Sequence, residues 1–315
     1  MLGLIILLSL IFYIVSIVVL VFIKFRIGMK LIGAVSILII GGMAVVFLIY
    51  SLPAFEKFGV GIFFSTEWDP GAERYGLANA IAGTLLTSAI AIAIAVPIAL
   101  GIVVFINEIL PRRLAGIFGS LVDLTAALPT VLFGLWGLFV LGPALAWAVE
   151  SFSNVLLQLG LISEPLYTTR TSLLTASVLL AIMIVPYAAA VIREGYALVP
   201  KHVEEAIYAM GATKFEAILI KFRYIRNYLF GGFFLALGRA MGETVAVAMV
   251  VGGNYYTFTI NPLDSGITLS SLIALQFPNA FGILVPVLYA AALTIALIGI
   301  IINTVAIYIL YRGQL

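Results

Sequence analysis

The sequence contains no cysteine and a single histidine, His202, among its 315 residues. The absence of cysteine excludes disulfides, thiolate zinc sites and cysteine nucleophiles, and one histidine is a poor basis for an imidazole metal site or a histidine-based triad. Charged residues are scarce: they make up 10% of the chain, whereas an ordinary soluble domain has about 25%. With 64% hydrophobic residues, the sequence excludes a soluble globule and predicts an integral membrane protein.

Enzyme signatures are also missing from the sequence. It contains no G-x-x-x-x-G-K-[ST] nucleotide-binding loop, no H-E-x-x-H and no G-x-S-x-G. We therefore predict that the chain is not an enzyme, binds no cofactor of its own and has no nucleic-acid partner. If it moves a solute uphill, the energy must come from a gradient or from a separate ATPase subunit.

Long apolar runs define the predicted transmembrane segments. A helix needs about 20 largely apolar residues to cross a bilayer, and uninterrupted runs favour helices over the alternating strands of a barrel. We therefore expect an all-α membrane fold with about seven transmembrane helices, the first of them a retained helix and not a cleaved signal. The predicted spans are 2–23, 31–51, 77–107, 115–148, 171–192, 228–252 and 283–310.

The connections between these spans carry an uneven distribution of positive charge. Of the sixteen Lys and Arg residues, twelve fall on one side of the membrane if 24–30 is cytoplasmic, and only Lys57, Arg74 and Arg170 fall on the other. Because basic residues concentrate in cytoplasmic loops, we predict a multi-pass protein of the cell (inner) membrane with its N-terminus outside and its C-terminus in the cytoplasm. The twelve are Lys24, Arg26, Lys30, Arg112, Arg113, Arg193, Lys201, Lys214, Lys221, Arg223, Arg226 and Arg312.

Segment 199–222 is predicted to form two short helices between spans. Gly211 breaks the apolar periodicity of the first helix, and Thr213 followed by Glu216 has the form of a capping box that starts the second. Two interpretations remain open at this point. The pair could rest on the bilayer interface, or it could be a docking element for a cytoplasmic partner.

The apolar segment 235–254 contains two charged residues, Arg239 and Glu243. A charge inside a span should face protein or water and have a partner, and a spacing of four would place both side chains on one helix face, where they can neutralise each other. Gly238 and Gly242 form a G-x-x-x-G pattern that allows a second helix to approach closely. The pair is either a structural ion pair between helices or an anion site, in which Arg239 offers two parallel donors to an oxyanion.

Two further features of the sequence carry weaker signals. Asp123 lies near the start of span 115–148. It is either a structural carboxylate or part of a solute pathway. Loop 253–280 contains a short apolar run, SLIAL, which we expect to form a helix near the outer surface.

The residues of these segments resemble a known family. Glu205-Ala206 followed by Gly211 is similar to the E-A-A-x-x-x-G loop of ABC importer permeases, and 238–247 resembles the G-R-A-x-G-E-T-x-A-V hallmark of PstC-type phosphate permeases. Four further stretches fit the same family: EWDP at 67–70, GTLLTSAIAIAIAVPIALGI at 83–102, LTAALPTVLFGLWGLFVLGP at 124–143 and AIMIVPYAAAVIRE at 181–194.

The resemblance implies a type I ABC importer transmembrane-domain fold over 77–310, preceded by N-terminal transmembrane helices within 1–52. It implies that Glu205, Ala206 and Gly211 couple the chain to ATPase subunits through the loop at about 199–222. Arg239, Glu243 and, more weakly, Asp123 would line the substrate pathway, and Gly238 and Gly242 would pack helices.

The implied partners are a homologous PstA-like permease subunit, a cytoplasmic ATPase dimer that uses ATP and Mg, an extracytoplasmic phosphate-binding protein, phosphate and the lipid bilayer. The alternatives are a permease for another oxyanion such as sulfate or molybdate, a gradient-driven anion carrier or channel, and a membrane scaffold without a solute.

Overall fold

The computed structural model describes residues 13, 15, 16 and 25–312, and most of this part of the chain is helical. Its α-helices are α1 Phe25–Phe58, α2 Ala78–Val104, α3 Arg112–Ala126, α4 Thr130–Trp136, α5 Gly142–Gln158, α6 Leu173–Ala197, α7 Lys201–Ala209, α8 Lys214–Tyr224, α9 Arg226–Gly242, α10 Val245–Val250, α11 Leu269–Gln276 and α12 Leu284–Arg312.

Shorter elements extend or connect these helices. A π-helical turn, Phe105–Ile109, extends α2, and a second one, Gly137–Leu141, joins α4 to α5. Two 3₁₀ turns lie at Gly59–Phe63 and Phe277–Asn279. Strands β1 (Trp68–Asp69) and β2 (Arg74–Tyr75) form a small antiparallel hairpin in which Trp68 pairs with Tyr75.

Five helical segments of the described chain are long and apolar enough to cross a membrane. They are Ile27–Phe63, Ala78–Ile109, Thr130–Gln158, Leu173–Ala197 and Leu284–Val305. The helical membrane fold is thus confirmed, whereas the count of seven spans is not. Of the predicted first span, 2–23, all but residues 13, 15 and 16 lie outside the described residues.

The predicted span 115–148 is wrong in its boundaries. Its first part belongs to the separate helix α3, which ends at Ala126, and the membrane-length segment begins only at Thr130. Pro129 lies at this boundary in an extended conformation, with φ −57° and ψ 131°. Proline disfavours helical geometry in the residue before it, so the apolar run is divided into two helices.

The predicted span 228–252 is also divided. Helix α9 ends at Gly242, Glu243 is extended with φ −67° and ψ 128°, and the short helix α10 begins at Val245. Two hydroxyls satisfy carbonyls at the end of α9: Thr244 Oγ1 donates to the Gly242 oxygen and Ser270 Oγ to the Met241 oxygen, each at 3.1 Å. The expectation that Arg239 and Glu243 share one continuous helix is therefore wrong.

Helix α6 is the central element of the bundle, and 72% of its most apolar 18-residue stretch is buried. It packs along α2 and α9 through small side chains that allow close approach, among them the fully buried Ala91, Ala95 and Ala99 of α2 and Ala188 of α6. Helix α6 also carries Tyr187, Arg193 and Tyr196, whose contacts are described below.

The expected short helix in loop 253–280 forms as α11, and it packs into the bundle. Leu269 and Leu272 are fully buried, and the Leu269 amide donates to Thr84 Oγ1 of α2 at 2.8 Å. The approach to α2 requires Gly83, because a Cβ there would lie 2.0 Å from the Ile267 carbonyl oxygen. A capping box between Thr268 and Ser271 satisfies their main-chain N–H groups, which are buried at the start of the helix.

Candidate anion site and interhelical coupling hairpin

Arg239 lies midway along the bundle with an aromatic ring as its nearest charge-stabilising group. Its Cζ is 4.0 Å from the centroid of the Tyr187 ring of α6, a cation–π distance. Its Nε is buried and has no hydrogen-bond partner among the described residues. No ion pair joins Arg239 to a carboxylate in the described part of the chain, whose ion pairs all involve other residues. This guanidinium therefore has unused donors.

Tyr187 connects the arginine to a second element. Its hydroxyl donates to the main-chain oxygen of Ala126 at 2.6 Å, where α3 ends. One side chain of α6 thus contacts both the end of α3 and the guanidinium of α9. Sequence reasoning missed Tyr187, since an aromatic residue after Pro186 in a span does not reveal which side chain lies over it.

In this structure Glu243 contacts the main chain of the helix that follows it. Its Oε1 accepts the main-chain N–H of Ala246 at 3.4 Å, which places the carboxylate at the start of α10. A carboxylate there satisfies a free amide and is favoured by the helix dipole. In this structure Glu243 caps the short helix and forms no ion pair with Arg239 among the described contacts.

Gly238 and Gly242 face an open groove. Nothing in the described structure lies within 4 Å of a Cβ placed on either glycine. The groove has a volume of about 470 Å³, and α1, α9, α11 and α12 surround it; Phe47, Ser270 and Asn303 are among its lining residues. The close helix packing predicted for this G-x-x-x-G pattern is not made within the described chain.

Asp123 forms an ion pair with Arg193 of α6. The Arg193 Nη2 donates to both Asp123 carboxylate oxygens, at 2.9 and 2.7 Å. This pair ties α3 to α6, as expected of a structural carboxylate. Elsewhere, no group of three or more His, Asp or Glu side chains among the described residues is arranged to hold a metal ion.

Helices α7 and α8 form the predicted pair of short helices, hereafter the α7–α8 hairpin. The turn is at Gly211, whose φ of +81° is in the left-handed region that favours glycine. The capping box is confirmed: Thr213 and Glu216 exchange side-chain and main-chain hydrogen bonds. The N–H and hydroxyl of Thr213 donate to the Glu216 carboxylate and lower its pKa.

The outer surface of the α7–α8 hairpin is apolar and exposed. Glu205, Ala206 and Gly211 are exposed, as a docking role requires. Beside them, the apolar side chains of Met210 and Phe215 are 77% and 69% exposed. Met210, Gly211 and Leu219 line a hollow of about 410 Å³ on this surface.

The inner surface of the hairpin contains a buried ion cluster that sequence reasoning missed. Lys221 of α8 is 4% exposed, and its Nζ lies 2.8 Å from Glu108 Oε1 and 2.5 Å from Glu204 Oε1. The Tyr196 hydroxyl donates to the same Glu108 oxygen at 2.5 Å. Burial by itself lowers the pKa of the Lys221 ammonium, but its hydrogen bonds to the two carboxylates outweigh burial and raise the pKa.

These features coincide with those of a known family. Residues 98–312 match the family described as "Binding-protein-dependent transport system inner membrane component". The chain belongs to this family and is a multi-pass membrane protein.

Individual proteins of this family are similar to the chain over most of its length. The chain is 39% identical to the "Probable phosphate transport system permease protein PstC" of Methanocaldococcus jannaschii over 84% of this chain and 85% of that protein. It is 36% identical to the "Phosphate transport system permease protein PstC" of Mesorhizobium japonicum over 88% of this chain and 86% of that protein. These relatives are named as transport permeases.

A solved structure shares the fold. An inward-facing structure of the MetNI methionine ABC transporter superposes with a TM-score of 0.52 at 16% identity, covering 76% of this chain and 94% of that chain. The likeness supports the type I ABC importer transmembrane-domain fold.

Proposed function

We propose that the chain is the permease subunit of an ATP-driven phosphate importer. The observation that carries the proposal is Arg239: a permanently charged group midway along the bundle, with a buried Nε and no carboxylate partner among the described residues. Such a group is costly in a membrane unless an anion or water meets it. The names of the PstC relatives favour phosphate as that anion.

The geometry around Arg239 suits an oxyanion. The Tyr187 ring covers one face of the guanidinium at 4.0 Å, and the buried Nε–H has no hydrogen-bond partner among the described residues. The N–H groups at the edge of a guanidinium can donate two parallel hydrogen bonds to a tetrahedral dianion. Glu243 is held at the start of α10, so in this structure its carboxylate does not compete for the guanidinium.

The partners follow from two surfaces. The exposed apolar surface of the α7–α8 hairpin, with Glu205, Ala206 and Gly211, is where cytoplasmic ATPase subunits would dock and supply ATP and Mg. The groove at Gly238 and Gly242 is where a helix of a homologous PstA-like permease would pack. An extracytoplasmic binding protein would deliver phosphate to the opposite end, as the family description suggests.

Coupling between these sites would run through a short length of chain. Helix α8 leads directly into α9, and Arg239 lies in the last turn of α9, next to the break at Glu243. A break between α9 and α10 allows the two helices to move relative to each other. ATP-driven movement of the hairpin would thus change access to Arg239 and give alternating access. In this arrangement the hairpin and the C-terminus lie in the cytoplasm.

The test uses the complex reconstituted in vesicles with its ATPase and binding protein. We expect phosphate, and not sulfate or molybdate, to stimulate ATP hydrolysis and to accumulate inside. Arg239→Gln should abolish uptake while the complex still assembles, because a neutral amide cannot offset a dianion. Arg113→Gln, which changes an exposed arginine, should transport normally.

Each alternative predicts a different result in the same vesicles. Stimulation by sulfate or molybdate alone would assign another oxyanion. Uptake that follows an ion gradient and ignores ATP would identify a carrier. Normal uptake by Arg239→Gln would refute the pathway role of Arg239.

A further inference from the structure

The buried ion cluster joins four helical segments that are distant in sequence. Glu108 lies in the π-helical turn that extends α2, Glu204 in α7, Lys221 in α8 and Tyr196 near the end of α6. Lys221 and Glu108 are separated by 113 residues. A second lysine, Lys214, donates to the Glu108 main-chain oxygen at 2.6 Å. Lysine side chains of the hairpin therefore fasten it to α2 through both the carboxylate and the main-chain oxygen of Glu108.

Burial makes the ion pair between Lys221 and Glu108 costly to separate. Lys221 is 4% exposed and the Glu108 side chain 9% exposed. Pulling such a pair apart leaves an unpaired charge in a low-dielectric site, which is strongly unfavourable. Apolar side chains could exchange one contact for another, but Lys221 has no second buried acceptor besides Glu108 and the half-exposed Glu204 among the described contacts.

The helix that receives this contact is firmly packed in the bundle. Helix α2 lies along α6 through fully buried alanines, and Glu108 also accepts the hydroxyl of Tyr196 from α6. A displacement of α8 would therefore act on α2 and α6 together. A π-helical turn such as Phe105–Ile109 is often found at functional positions, where it widens the helix locally.

We propose that the buried ion cluster is the joint that passes movement of the α7–α8 hairpin to α2 and α6. Lys221 and Glu108 are its positioning residues, and they contact neither the transported anion nor ATP. This inference rests on the proposed importer function. The joint adds a charged connection to the two peptide links to α6 and α9 and to the ring contact between Phe222 of α8 and Tyr196 of α6.

The test measures phosphate transported per ATP hydrolysed in reconstituted vesicles. The double variant Glu108→Gln/Lys221→Met removes both buried charges at once, and the one carboxylate that loses its partner, Glu204, is 43% exposed and can be solvated. We expect this variant to assemble and hydrolyse ATP, with the transport ratio lowered at least fivefold. Lys201→Met is the matched control: Lys201 is an exposed lysine of α7 outside the buried ion cluster, and its ratio should stay at the wild-type value.

The outcomes separate this inference from the proposed function. Wild-type vesicles in which phosphate neither stimulates ATP hydrolysis nor accumulates would refute the importer function itself. A wild-type complex that works, together with a double variant of unchanged ratio, would refute the joint and leave the importer function intact. A single Lys221→Arg variant that keeps the wild-type ratio would support the joint, because this variant retains the positive charge. Loss of stability alone does not lower the amount of phosphate moved per ATP.

Discussion

At the scale of single residues, the two charges of segment 235–254 make separate contacts in this structure. Arg239 is stabilised by the face of the Tyr187 ring, and Glu243 caps α10 through the Ala246 amide. The i, i+4 spacing would have paired them only in a continuous helix. Because the helix is interrupted after Gly242, the guanidinium keeps its donors for another ligand.

Substitution of Tyr187 tests how the arginine is positioned. Tyr187→Leu removes the ring, and a desolvated cation–π contact contributes about 2 kcal/mol. We expect maximal phosphate uptake by the reconstituted complex to fall at least tenfold, with normal assembly. Tyr187→Phe keeps the ring and loses only the hydrogen bond to Ala126, so its uptake should remain within about threefold of wild type. Equal uptake by the Leu and Phe variants would contradict the ring's role.

At the scale of elements, local sequence signals predicted the α7–α8 hairpin well. The capping box at Thr213 and the turn at Gly211 each depend on a few neighbouring residues, and both are confirmed. The division of span 115–148 at Pro129 had a local signal too, but an apolar run of that length concealed it. The break at Glu243 had no local signal, because the hydroxyl that satisfies the freed Met241 carbonyl belongs to Ser270, which is distant in sequence.

Gly211 provides a test of the hairpin geometry. A Cβ there would meet nothing within 4 Å, so a substitution acts only through the φ of +81°. A left-handed conformation costs most L-residues about 1–2 kcal/mol. We expect Gly211→Val to insert normally and to bind the ATPase subunits about tenfold more weakly, measured by co-purification and titration.

Asparagine supplies the control at the same position. It tolerates the left-handed region better than valine does, so Gly211→Asn should bind the ATPase subunits nearly as well as the wild type does. Normal binding by Gly211→Val would show that the turn conformation is not needed for docking.

At the scale of the whole molecule, the contacts define two ends of the bundle. The α7–α8 hairpin meets the end of α2 through Glu108 at one end. At the other end, the loop before α6 meets the loop before α11, where the Leu173 amide donates to the Asp264 oxygen. The distribution of Lys and Arg predicts that the first end faces the cytoplasm.

The absence of cysteine makes this orientation directly measurable. Single substitutions Glu164→Cys and Arg113→Cys place a thiol at exposed positions of opposite ends. In intact cells, a membrane-impermeant maleimide should label Glu164→Cys and not Arg113→Cys. Both should be labelled after permeabilisation, which is the control for accessibility. The reverse pattern in intact cells would overturn the predicted topology.

The sequence by itself determined the membrane class, the helical fold, the charge bias between the two sides and the hairpin, because each depends on composition or on residues within a turn or two. Its motifs also pointed to Arg239 as the pathway candidate. Only the tertiary structure decided what surrounds Arg239 and how the hairpin is fastened. Tyr187 meets Arg239 across two helices, and Lys221 meets Glu108 across 113 residues. Such contacts depend on how helices pack, and no local pattern encodes that packing.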